Sequence, residues 1–455
     1  MSEAETPDEV LRRHTAPPWF DDAKLGIFVH WGLFAVPAWA PVQAEPGVHA
    51  DADAMARGDN AYAEWYENSM RIAGSPTAEY HAATYGDAPY ADFKAPFESM
   101  LETWDPAPWA DLFRRAGAGY VVLTTKHHDG YLLWPSARPN PHRDRWQSER
   151  DVVGDLADAV RAAGVRFGLY YSGGFDWTFE AGPIESIETL VSTMPTSDEY
   201  AEYVDGHFRE LVERYRPSVL WNDIGMPTDD GLSELLVDYL TAVPDGTVND
   251  RFLTMAGRRA PAAERHYRSD FATPEYASFD TAKRFKWETC RGIGASFGFN
   301  RAETEEHHLA VDELIRSFVD IVAKGGNLLL NVGPTGDGEI PELQASRLRA
   351  LGAWLDVNGE AIRGTRPWTR TGDGADVRFT QAGGAVYALV GTTPAAGSSL
   401  RIADVPDLGP VELLGHGPVA TTWDGGGLTV EWPAGVEPAP VHALRLGRRA
   451  GTVSP

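Results

Sequence analysis

Cysteine is almost missing from this chain of 455 residues: Cys290 stands alone, so no intrachain disulfide can form and no thiolate cluster can hold zinc. Neither His-x-His nor His-Glu-x-x-His occurs, which removes two common metal-binding spacings. No apolar run approaches the roughly 20 residues that a membrane-spanning helix needs. Positive charge is also short. With 40 Lys and Arg against 66 Asp and Glu the net charge is −26, a field that repels phosphate backbones and anionic membranes but leaves a neutral sugar unaffected. Nucleic acid and membrane are therefore not expected partners. Residues 1–10 are polar and acidic, without the basic and apolar regions of a signal peptide, so a soluble cytoplasmic protein is expected. No glycine-rich phosphate loop follows the first strand-like run, and nothing in the sequence asks for a cofactor or a metal.

What is present is an ordinary globular composition, 43% hydrophobic, in a chain long enough for one large domain and a smaller one. Between residues 20 and 335, helix-like and strand-like segments alternate, with glycines between them. Residues 108–116 read as a helix stopped by Gly117 before a strand at 120–125. Residues 153–163 read as another, stopped by Gly164 before 165–171. A longer helix places Tyr200, Tyr203, Val204, Phe208, Leu211, Val212 and Tyr215 at helical spacing, and Pro217 ends it. Strands are expected near 26–31, 120–125, 166–171, 218–222, 247–250, 269–272, 294–299 and 327–332. Eight buried parallel strands predict a (β/α)8-like barrel with its site at the strand C-terminal ends. After a helix at 341–357 the texture changes to short alternating runs around Gly383-Gly384. The expected division is a catalytic barrel over 1–358 and a C-terminal antiparallel β-sandwich over 359–455. The loops at 33–63, 127–150 and 172–198 are long enough to act as walls or lids, and a homo-oligomer whose neighbouring chain completes them stays open.

Polar and aromatic residues gather at the expected strand ends. Asp223, after Trp221 and Asn222, faces the barrel mouth; the plain alternative is a helix N-cap. Glu275 lies near Phe271 and Tyr276, a setting that would raise its pKa as a general acid requires, against the plain alternative of a loop glutamate. His127 and His128 with His30 could hold a metal. Adjacent histidines in a straight strand point to opposite faces, however, so hydrogen bonding to hydroxyls is the better reading. Arg251 would bring a fixed cation, unless it only pairs with Asp250. Trp65, Trp221 and Phe297 are candidate stacking walls, with a core aromatic as the default alternative for each.

Several stretches together resemble the α-L-fucosidases of glycoside hydrolase family 29. They are Lys24-Leu25-Gly26-Ile27-Phe28-Val29-His30-Trp31-Gly32, Tyr62-Ala63-Glu64-Trp65-Tyr66, Lys126-His127-His128-Asp129-Gly130, Gly168-Leu169-Tyr170-Tyr171-Ser172, Trp221-Asn222-Asp223 and the run from Lys324 to Pro334. The resemblance implies a barrel followed by a sandwich, and a retaining double displacement on a fucosylated oligosaccharide or glycoside. Asp223 then matches the nucleophile and Glu275 the acid/base. His30, Glu64, Trp65, His127, His128, Tyr171, Trp221 and Arg251 match sugar-contacting positions, and Phe297 would face the C6 methyl of fucose. Glu64 and Glu288 are the alternative acids. Met226 stands where bacterial relatives carry a larger aromatic, which would open the leaving-group side, and the stretch 252–268 is long and basic. The competing readings are a barrel metallohydrolase built on His30, His127 and His128, and a non-catalytic fucose-binding protein.

Overall fold

The computed structural model describes residues 5–42, 58–180, 182–254 and 268–447. The barrel strands are β1 (Leu25–Val29), β2 (Tyr120–Lys126), β3 (Arg166–Ser172), β4 (Val219–Asp223), β5 (Thr247–Val248), β6 (Phe271–Ala272), β7 (Lys286–Gly292) and β8 (Gly326–Val332). They form one eight-stranded sheet in the order β5-β4-β3-β2-β1-β8-β7-β6, with every pairing between neighbours parallel. A bridge from Asn249 to Phe271 joins the two end strands and closes the ring. Closure removes both sheet edges and points all strand C-termini to one mouth.

Alternation along each strand sorts the side chains. Phe28, Tyr120, Val122, Tyr170, Trp221, Cys290 and Leu329 meet inside the barrel, and Phe20 joins them. The residues between them, such as Ile27, Val121, Leu169, Leu220 and Leu330, face outward and merge with the helix layer. The helices form where sequence chemistry starts and stops them. Asp151 caps Val152–Ala162 by accepting from the Gly154 amide at 2.9 Å, and Gly164 ends the turn with a φ of +79°. Asp198–Tyr215 buries Tyr200, Val204, Phe208 and Leu211 on the face packed against the barrel.

One strand departs from the sequence reading. The seventh strand is Lys286–Gly292, not 294–299. Its Lys-Trp-Glu-Thr-Cys-Arg-Gly pattern hides a buried strand because Glu288 sits inside the barrel, satisfied by the Tyr120 hydroxyl and by Trp221 Nε1 at 3.2 Å. Residues 294–299 form the loop that follows. After the helix Glu342–Asn358 the chain enters antiparallel sheets of six strands and three strands, beginning at Arg366–Asp373. Phe379, Val390, Ile402, Leu428, Val430 and Leu446 form their shared core. Ala385, Tyr387 and Leu389 belong instead to the apolar cluster of the barrel helices, and Trp354 Nε1 donates to the Val441 carbonyl at 2.8 Å. Among the described residues no helix is long and apolar enough to cross a membrane.

Candidate active site

At the strand C-terminal ends a cavity of about 110 Å³ is lined by Phe28, His30, Tyr62, Glu64, Trp65, His127, His128, Tyr170, Trp221, Asp223, Ile224, Arg251, Glu275, Cys290 and Phe297. That is well below the roughly 300–1,000 Å³ of a typical ligand cleft, and it suits one small polar ring.

Asp223 is the last residue of β4 and shares the inward parity of Val219 and Trp221. It is not a helix N-cap, because the next helix, Leu232–Ala242, begins after Gly231. Its Oδ2 accepts from the Tyr170 hydroxyl at 2.7 Å; its Oδ1 accepts from Arg251 Nη1 at 2.6 Å and from the Ile224 amide at 2.8 Å. Burial pushes its pKa up, but the Arg251 charge and the three donors outweigh burial and hold it below the usual aspartate value. The sign follows: the stabilisation is present above the free aspartate range and is lost as pH falls through the folded value.

Glu275 follows β6 and is tied to β7 by a parallel bridge with Cys290. Arg251 reaches it too, through Nη2 at 3.4 Å from Oε2, and the Tyr62 phenol hydrogen-bonds to it. One guanidinium therefore spans both carboxylates, and Thr273 fixes its third edge by accepting from Nε at 3.0 Å. Asp250, the plain alternative partner of Arg251, accepts instead from the Thr273 amide and hydroxyl at 3.1 and 2.6 Å. The Glu275 side chain is 27% exposed against 12% for Asp223, so the two face different surroundings.

The alternative acids are placed differently. Glu64 lines the cavity, but its Oε2 accepts from the Gly298 amide at 2.7 Å and from Ser296 Oγ at 3.2 Å. Burial raises its pKa to about 7 against those donors. Glu288 does not line the cavity. It lies beneath the Trp221 indole, and burial pushes its pKa up to about 7.

The adjacent histidines both reach the cavity because the strand stops before them. β2 ends at Lys126 after a register shift between Thr124 and Lys126, and the rings of His127 and His128 then lie 3.9 Å apart. Lys126 holds this turn from below through a buried ion pair with Asp176 at 3.0 Å, and the Trp177 amide donates to the His128 carbonyl at 2.8 Å. Burial lowers the pKa of His30 to about 4 and those of His127 and His128 well below the usual value, so all three imidazoles are neutral at pH 7.

Their tautomers follow from the outer partners. Asn331 Nδ2 donates to the Phe297 carbonyl at 2.6 Å, which turns Oδ1 toward His30 Nδ1 at 2.7 Å. Ser172 donates to the Phe175 carbonyl at 3.0 Å and so accepts from His128 Nδ1 at 2.7 Å. His30 and His128 are thus left with acceptor Nε2 atoms, whereas His127 Nδ1 is buried with no partner among the described residues, which favours a proton on Nε2. Among the described residues no group of three or more His, Cys, Asp or Glu is arranged to hold a metal ion.

Tyr171 is a correction. Its hydroxyl meets His207 Nδ1 at 2.9 Å in the layer between barrel and helices, and it does not line the cavity. Tyr170, one residue earlier, has the inward parity and stacks on Trp221 with ring centroids 5.5 Å apart. A one-residue slip exchanges the two faces of a strand. The pairing Tyr170–Trp221 carries the signal that identifies it. Tyr62, Phe28, Ile224 and Cys290 are further lining residues that the sequence reading passed over. Phe297 stands in the loop after β7, 4.9 Å from the His30 ring and 5.4 Å from that of Tyr276. Trp65 meets His128 and Trp177 edge-on at 5.3 and 5.7 Å. Met226 is buried at 6% exposure and lines a separate surface groove, so it does not open the cavity. Most of the basic stretch 252–268 lies outside the described residues.

The α-L-fucosidase family model matches residues 2–360. The chain belongs to that family. It is a glycoside hydrolase, and bovine tissue α-L-fucosidase is 33% identical to it over 404 residues, covering 85% of this chain and 77% of the relative. The structure of Thermotoga maritima α-fucosidase in complex with fucose is 42% identical, covers 97% of this chain and all of that one, and superposes with a TM-score of 0.83. The same organism's enzyme in complex with a mechanism-based inhibitor gives 0.85 at 42% identity, covering 98% of this chain and 100% of that one.

The Arg251 bridge yields a prediction. Replacing Arg251 by Met removes the charge that lowers the Asp223 pKa, so the low-pH limb of kcat/KM on an aryl glycoside moves to higher pH. A pH–rate profile checks it, and an unmoved limb would show that the guanidinium does not set the ionisation of this carboxylate.

Proposed function

We propose that the enzyme is an exo-acting, retaining α-L-fucosidase working by double displacement, with Asp223 as nucleophile and Glu275 as acid/base. The observation that carries this reading is the Arg251 guanidinium bonded to both carboxylates beside a cavity sized for one ring. A shared clamp of that kind suits the roughly 5–5.5 Å separation of a retaining pair rather than the wider gap of an inverting one. Fucose as the glycone is supported by the Thermotoga maritima relative described with fucose bound.

In the first step Asp223 attacks the anomeric carbon from the β face, the bond from that carbon to the leaving oxygen breaks, and Glu275 gives its proton to that oxygen. The product is a β-fucosyl ester on Asp223. In the second step Glu275, now a carboxylate, takes a proton from water, the water oxygen displaces the Asp223 carboxylate, and α-L-fucose leaves. His30 and His128 offer acceptor nitrogens to sugar hydroxyls, and His127 offers a donor. Burial keeps all three uncharged, so they read hydroxyl direction without competing for the charge that develops on the sugar. Phe297, backed by Phe28 at 6.4 Å, supplies an apolar wall for the C6 methyl. The closed floor beneath Trp221 limits entry to a terminal residue.

Replacing Asp223 by Gly should lower turnover of an aryl α-L-fucoside by about 10⁴-fold or more. Added azide should then restore cleavage and give β-fucosyl azide; hydrolysis at the parent rate would remove Asp223 from the mechanism. Replacing Phe297 by Asn should lower the ratio of kcat/KM for aryl α-L-fucoside over aryl α-L-galactoside by about tenfold, the scale of one methyl group in an apolar pocket. An unchanged ratio would place the methyl elsewhere.

A further inference from the structure

Ile224 has a backbone conformation that its own side chain opposes. Its φ is +64°, in the left-handed region, where a β-branched residue is a genuine outlier. It directly follows Asp223, and its amide donates to Asp223 Oδ1 at 2.8 Å. Gly225, next in the chain, also has a positive φ, +129°.

The surroundings over-determine this turn. The Gly225 carbonyl accepts from Asn222 Nδ2 at 2.9 Å, the Met226 amide donates to the Leu253 carbonyl at 3.0 Å, and the Gly174 amide donates to the Asp223 carbonyl at 3.2 Å. With the Ile224 amide committed to the carboxylate, the left-handed turn lets the following groups reach these partners together. The Ile224 side chain packs with Phe175, Trp177, Ile184 and Met194. A Cβ on Gly174 would come within 2.8 Å of the Ile224 Cβ, so the two backbones are held in close approach.

We infer that Ile224 is a positioning residue for the nucleophile: a strained left-handed turn locks its amide onto Oδ1 of Asp223 and leaves Oδ2 as the attacking atom. Among the described residues Oδ1 already accepts from two donors, Ile224 and Arg251, whereas Oδ2 accepts only from Tyr170 and keeps acceptor capacity for the anomeric carbon. Strain held at a site by its surroundings is a recurring way to fix catalytic geometry. The inference rests on the reading of Asp223 as nucleophile.

Two variants of the full-length enzyme test it. Ile224→Ala removes the packing but keeps a Cβ in the unfavourable region; Ile224→Gly removes both. The Gly variant should have the higher denaturant midpoint of the two, the reverse of the usual order, because glycine alone accepts this φ freely. It should also be the poorer catalyst, with kcat about tenfold below that of the Ala variant at little change in KM, as expected when a reacting group loses orientation.

The low-pH limb of kcat/KM should move upward in the Gly variant relative to the Ala variant. Among the groups around Asp223, Tyr170, Arg251, His30, His127, Glu275 and Cys290 stay in place in both variants, and only the amide donor loosens. An Ala midpoint at or above that of Gly, including failure of the Gly variant to fold, would show that the turn is not strained. An identical limb and kcat in the two variants would show that the strain positions nothing. Failure of the Asp223 assignment reads out separately, in azide rescue of Asp223→Gly, and leaves the order of midpoints untouched.

Discussion

The guanidinium of Arg251 is the interaction on which the rest of this site depends. It lies partly buried between two carboxylates of different exposure and bonds to both. At 2.6 Å the bond to Asp223 is a strong charge-assisted one that favours the ionised form; at 3.4 Å the bond to Glu275 is longer. One positive charge thereby meets two carboxylates at two different distances. Thr273, itself fixed by Asp250, keeps the guanidinium from rotating toward either partner.

Barrel closure makes this clamp possible. Asp223 ends β4, Arg251 follows β5 and Glu275 follows β6, three successive strands around the ring, so residues far apart in the chain converge at one mouth. The bridge Asn249–Phe271 that completes the ring lies two positions before Arg251 and holds the two shortest strands in register.

Much of this was legible in the sequence. Helix–glycine–strand repetition revealed the barrel, and polar residues at strand ends marked the mouth, because both follow from local chemistry and periodicity. The failures share a cause: they needed tertiary parity. Tyr170 and Tyr171 are chemically alike, and only the pairing of β3 with β4 says which faces inward. The strand Lys286–Gly292 looks polar because its buried glutamate is satisfied by Tyr120 and Trp221, partners 168 and 67 residues away. The His127–His128 pair enters the cavity through a register shift that no spacing rule reveals. The positive φ of Ile224 has no sequence signature, since isoleucine is among the last residues expected there.

The most direct measurement of the central claim is the configuration of the first sugar released. Proton NMR of an aryl α-L-fucoside, recorded within the first turnovers and before mutarotation, resolves the two anomers of fucose. The clamp on two adjacent carboxylates predicts that α-L-fucose appears first and the β anomer grows in only later. Initial release of β-L-fucose would mean a single displacement by water and would contradict the assignment of Asp223 as the group that bonds to the sugar.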